Sequence, residues 1–205
     1  MFTEFIDISR TLRKGMKVFP GDPPFVMEQQ MFTAKGELCN LNSIALSLHC
    51  GTHIDAPLHF LTDGAAIAQL SLELFFGKAR VVTIDSRKPL GAQDLAAAPI
   101  VPGERVLINI PVNEQTEAMP EIGLLVDAAE YLIAQKVALV GINCGSIEQK
   151  LGEPGGVHYR LLAAGIPVLE NLVLAGVQPG EYYLACFPLK VEAGDGSPVR
   201  AVLLR

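Results

Sequence analysis

Apolar and polar residues alternate along some stretches of this chain and run unbroken along others, and the two patterns predict strands of different burial. Residues 2–9 alternate imperfectly and read as a short first strand. Ile44, Leu46 and Leu48 alternate with Ser43, Ala45, Ser47 and His49, the pattern of a half-buried strand ending at a histidine. Residues 79–84 and 105–110 are β-branched apolar runs of strand length, and residues 137–142 are almost wholly apolar, as in a strand covered on both faces. Residues 166–172, 182–189 and 199–204 complete the predicted strands.

The helical period is clearest over residues 124–136, where Leu125, Ala128, Ala129, Leu132 and Ile133 share one face. Asp127 near its start and Lys136 at its end suit the helix dipole. Shorter helices are predicted over 70–76, stopped by Gly77, over 93–98, ended near Pro99, and over 160–164, capped by Gly165. Residues 18–25 carry Pro20, Gly21, Pro23 and Pro24 and must form a stiff loop. Gly194, Asp195, Gly196, Ser197 and Pro198 have the chemistry of a hairpin turn between the last two strands. Without repeats, low-complexity segments or a shift in composition, these elements predict one α/β domain over residues 1–205.

Half of the 205 residues are hydrophobic and 19% are charged, enough for a sizeable core and too apolar for disorder. A formal charge of -6, with no basic run, argues against a nucleic-acid partner. Nor does any stretch approach 18 uninterrupted apolar residues, so no membrane span is expected. The acidic start, Met-Phe-Thr-Glu-Phe-Ile-Asp, does not read as a signal peptide, and a cytoplasmic location is expected. Cys39, Cys50, Cys144 and Cys186 are widely spaced, which indicates reduced thiols rather than a redox motif or zinc ribbon.

Against this background residues 49–60 stand apart, because three of the four histidines fall within eleven residues, with Asp55 among them. Imidazole nitrogen and carboxylate oxygen are the donors that suit zinc, manganese or iron. A straight strand would hold the backbones of His49 and His53 about 13 Å apart, too far for one ion. A helix is opposed by Gly51, Thr52 and Pro57. The chain must fold back on itself, and Gly51 is the residue suited to the pivot. Outside this stretch His158 reads by itself as an ordinary loop histidine beyond a Gly155-Gly156 turn, and Glu170 as a surface charge.

The run His49-x-Gly51-Thr52-His53-x-Asp55-Ala56-Pro57-x-His59 resembles the H-x-G-T-H-x-D-x-P-x-H signature of the cyclase-like metal-dependent hydrolases, which include bacterial kynurenine formamidases and isatin hydrolases. Pro20-Gly21-Asp22 and Asp195-Gly196-Ser197-Pro198-Val199-Arg200 agree with it. The resemblance implies a mixed β-sheet curled toward a barrel with flanking helices, a swivelling β/β/α arrangement. It makes His49, His53 and Asp55 the ligands of one divalent ion. His158 and Glu170, the latter followed by Asn171-Leu172, then complete the site on or near a second. Two cations so close would repel without a carboxylate between them, so Asp55 or Glu170 would bridge. Zinc or manganese is expected, as one ion or two.

His59 is then the proton-transfer residue rather than a ligand, and the implied reaction is hydrolysis of a carbon-nitrogen amide bond by metal-activated water. An aryl formamide such as N-formylkynurenine or a small cyclic amide would be the substrate. An ester or lactone, or metal binding without turnover, are the alternatives. Phe19 and Phe25 are the aromatic candidates for the substrate pocket, since relatives place an aromatic residue on that loop, and this chain has no tryptophan to serve there. Asn143 stands where relatives often carry aspartate, which removes a charge. The resemblance also implies a homodimer or homotetramer.

Overall fold

The computed structural model describes residues 2–111, 122–148 and 156–205. In chain order these residues form β1 (Phe5–Asp7), β2 (Val26–Met31), β3 (Leu41–Ala45), β4 (His53–Asp55), β5 (Phe76–Thr83), α1 (Ala92–Ala96) and β6 (Arg105–Asn109). They continue with α2 (Val126–Ala134), β7 (Leu139–Ile142), α3 (Gly156–Ala163), β8 (Val168–Glu170), β9 (Gly180–Ala185), β10 (Gly196–Pro198) and β11 (Val202–Leu204). Nine strands make one mixed sheet in the order β1-β11-β9-β5-β6-β7-β8-β4-β10. The run β5-β6-β7-β8 is parallel and the other pairs are antiparallel. The α/β class is the one the sequence pattern predicts, and the mixed sheet is the one the family resemblance implies.

Parallel neighbours need crossovers, and α1, α2 and α3 supply them between successive strands. Because the strands advance in one direction across the sheet, right-handed crossovers place all three helices on one face. One core cluster lies there, with Leu95, Ala128, Leu132, Val157 and Leu161 packed against Val106, Val140 and Val168 of the strands. The second cluster fills the opposite, concave face with Ile8, Ile54, Phe75, Leu107, Leu139 and Leu203. The sheet curls around it. Val173 N, just after β8, donates to Ile8 O at 2.9 Å, and Arg10 N, soon after β1, donates to Thr52 Oγ1 at 2.8 Å. The most apolar runs fall on the central strands β6 and β7, buried along their whole length, whereas β9 alternates.

Four expectations change. The strand expected at residues 44–48 ends at Ala45 as β3, pairs with β2 in a separate two-stranded sheet, and is exposed throughout. Its alternation is real, but its residues lie on the surface. Residues 70–76 do not form a helix, because Leu72–Phe75 makes a single tight 3-10 turn that runs into β5. The buried Arg105 guanidinium claims the carbonyls of Glu73 and Leu74, and Gly77, at φ +145°, leaves it room. His158 sits on α3, which begins at Gly156, rather than on a loop; Gly155 of the expected turn lies outside the described residues. Finally, residues 196–198 are not a hairpin turn but β10, paired with β4 in the register Gly196↔Asp55 and Pro198↔His53. Among the described residues no helix is long and apolar enough to cross a membrane.

Candidate metal centre

β4 has only three residues, and strand alternation turns His53 and Asp55 to one face. β8 pairs with it in the register His53↔Glu170, which brings the glutamate alongside. Gly51, at φ +70°, turns the chain before β4, and a Cβ there would stand 2.6 Å from Leu12 Cδ2. The turn carries His49 back over the strand, so that the ring centroids of His49 and His53 are 5.1 Å apart. His59, in the one-turn helix Pro57–His59, stacks on His49 at 4.0 Å, and His158 reaches the same carboxylates from α3.

Asp55 is the hub. Its Oδ1 lies 2.8 Å from His49 Nδ1 and 3.4 Å from His53 Nε2, and its Oδ2 lies 3.5 Å from His158 Nε2. Glu170 approaches His158 Nε2 with Oε1 at 3.0 Å and His53 Nε2 with Oε2 at 3.5 Å. His53 Nδ1–H donates to Gly51 O at 2.9 Å, which leaves Nε2 facing the carboxylates. Two groupings bring their donor atoms within 4.8 Å of one another: His53, Asp55 and Glu170, all buried, and His49, Asp55 and His59, nearer the surface. All six residues proposed from the sequence as ligands or proton carrier thus meet. The geometry divides them differently from the expected set of His49, His53 and Asp55, with Asp55 common to both groups.

The charges show what the centre suits. Burial opposes the charged form of His53, but Asp55 and Glu170 outweigh it and push the imidazole up to about 10. His158 is likewise opposed by burial and raised by Glu148 and Glu170 to about 10. Burial works against the Asp55 carboxylate, yet the surrounding imidazoles hold it well below its usual range. Two buried carboxylates among these imidazoles therefore favour positive charge at their centre, which a divalent ion would supply. Asp55 Oδ2 accepts no hydrogen bond from any described residue, which is costly for a buried carboxylate oxygen unless a positive partner occupies the centre. Imidazole and carboxylate are also the donor types zinc and manganese take, so these residues fit a divalent ion.

Asp195, Glu148 and Phe60 take part as well, although the sequence reading assigns none of them a role. Asp195 Oδ2 lies 3.0 Å from His49 Nε2 and 3.3 Å from His59 Nδ1, placed by the β10–β4 pairing. Next to it Gly196 leaves room for His49, whose Cε1 would be 2.7 Å from a Cβ. Glu148 Oε2 lies 2.9 Å from His158 Nδ1, and the Phe60 ring stacks on the His158 face at 4.6 Å and 6°. Of the loop aromatics, Phe19 is half exposed and Phe25 buried. The loop is tied to the histidines through Asp22: Ser47 Oγ donates to its Oδ2 at 2.9 Å and accepts from His49 N at 3.1 Å. Asn143, beside the central strands, donates to Asn109 Oδ1 and Ile110 O and accepts from Ile110 N, so its amide is fully used in holding β6.

Comparison with known proteins supports this fold and a metal-dependent hydrolase. The family model described as "Putative cyclase" matches residues 6–149. The chain is 34% identical over 203 residues to a kynurenine formamidase of Bacillus cereus, covering 98% of this chain and 97% of that one. It is 37% identical over 205 residues to one of Geobacillus thermodenitrificans, covering 99% and 98%. Among solved structures, a predicted metal-dependent hydrolase from Bacillus stearothermophilus superposes with TM-score 0.85 at 28% identity, over 98% of both chains. Isatin hydrolase A from Labrenzia aggregata shares the fold, with TM-score 0.84 at 24% identity over 98% and 93%. The chain belongs to the cyclase family of metal-dependent hydrolases.

Proposed function

We propose that this protein hydrolyses an amide bond of a small aryl formamide such as N-formylkynurenine, with divalent ions held by His49, His53, Asp55, His158 and Glu170. The observation that carries this reading is Asp55, shared by two donor groupings of which the outer one includes His59. A cation bound there supplies the electrophile that polarises the scissile carbonyl and acidifies the attacking water. The chain's own residues do the rest. Burial holds the His59 imidazole below its ordinary pKa, so it is neutral at pH 7 and ready to accept a proton. With Nδ1–H donating to Asp195, Nε2 is the nitrogen that takes the proton from water and returns it to the departing nitrogen.

The relatives named kynurenine formamidase support the formamide, and Phe19 and Phe25 are assigned to the aromatic wall, Phe19 with an exposed ring. Zinc or manganese suits the donor set. A homodimer or homotetramer is supported by the hairpin β2–β3, which exposes Val26, Met27, Leu41 and Ile44 among its polar residues. Free cysteines at 39, 50, 144 and 186 suit the cytoplasm.

Zinc- or manganese-loaded protein should cleave N-formyl anilides, and His59→Ala should lower kcat about 100- to 10,000-fold while keeping its metal. Equal activity in both proteins would remove His59 from the reaction. Turnover of aryl esters or lactones without amides would reassign the substrate class, and turnover of none would leave a metal-binding protein.

A further inference from the structure

We propose that Glu148 is a positioning residue that fixes the tautomer of His158 and thereby its capacity to bind metal; this rests on His158 being a ligand, as proposed above. Glu148 belongs to neither donor grouping, but both of its carboxylate oxygens are committed. Oε1 accepts from Gly156 N at 2.6 Å, at the first residue of α3, and Oε2 accepts from His158 Nδ1 at 2.9 Å. An imidazole that donates through Nδ1 presents the lone pair of Nε2, and that nitrogen faces Glu170 Oε1 at 3.0 Å and Asp55 Oδ2 at 3.5 Å. Phe60 stacks on the ring face and limits its tilt. Glu148 therefore decides which nitrogen looks into the centre, while the Gly156 bond sets the height of α3, on which His158 is carried.

Only a group with two acceptors can do both. A glutamine is the same size but offers one acceptor oxygen and one donor NH2. If its oxygen serves Gly156 N–H, its NH2 faces Nδ1, which must then accept, and the ring proton moves to Nε2, where it blocks the ligand position. If the oxygen serves His158, the Gly156 N–H meets a donor. Either arrangement costs metal binding without removing bulk.

The test measures zinc affinity by competition with a chromophoric chelator for wild type, E148Q, E148A and H158A, together with apo-protein melting and a long-range 1H–15N spectrum of the zinc-loaded imidazoles. Loss of such a support costs roughly 10- to 100-fold in metal affinity. We expect E148Q and E148A to lose that much, H158A to lose more, and loaded wild type to show a protonated Nδ1 on His158. Should E148A fail to fold, E148Q decides. Wild-type affinity in E148Q, with H158A impaired, would overturn the role of Glu148. Wild-type affinity in H158A would instead overturn His158 as a ligand.

Discussion

The two halves of the centre share Asp55 but stand in different surroundings. The inner half, His53 and Glu170, rests on paired strands and is sealed, with His53 only 3% exposed. The outer half, His49 and His59, rides on a turn and a one-turn helix, and His59 is 29% exposed beside an Asp195 that is 41% exposed. A sealed set of donors on rigid elements holds an ion, since little reorganisation is needed. An open set with a free imidazole face admits substrate and exchanges protons. On the function proposed above, the inner half would be the holding side of one centre and the outer half its working side, with Asp55 common to both.

Asp55→Asn cuts the connection and should have the largest effect. Metal content and amide hydrolysis should both disappear, measured by elemental analysis and anilide release. Retention of either would mean that the halves are independent.

A second test follows the buried imidazoles by pH. In the metal-free protein His53 and His158 are raised from ordinary imidazole values to about 10. Their contribution to stability is full below about pH 6.5 and is lost as pH rises toward 10. Metal-free protein should therefore lose thermal stability across that window, whereas loaded protein, without those protons, should not. Metal affinity should rise over the same window, about tenfold per pH unit for each proton displaced. Parallel melting profiles for the two forms would show that metal and these protons do not compete.

Asp195→Asn should do least to binding. It leaves the inner half intact, so metal affinity should stay within a fewfold of wild type while kcat drops roughly 10- to 100-fold through a misoriented His59. A larger loss of metal than of kcat would move Asp195 to the holding side.

How much of this the sequence reveals depends on how local each feature is. The donors from His49 to His59 are legible because they lie within eleven residues and carry their own pivot, Gly51. His158 and Glu170 become legible only through family resemblance, since neither has a chemical neighbour in sequence. Asp195 is hidden by its setting: Gly-Asp-Gly-Ser-Pro has full turn chemistry, and only the long-range pairing of β10 with β4 places it against two histidines. Glu148 is hidden for the same reason, ten residues before a histidine that it meets only once α3 forms. Alternation in residues 43–48 marks an extended chain but cannot say whether anything covers its faces, and β3 is exposed. The central strand β7 is plain because burial on both faces writes itself as an unbroken apolar run.

The most direct test is an anomalous-difference map of manganese- or zinc-loaded crystals. The account predicts a cation bounded by His53, Asp55 and Glu170, with Asp55 also contacting any second cation on the side of His49. A cation bound elsewhere, or one that Asp55 does not touch, would contradict it.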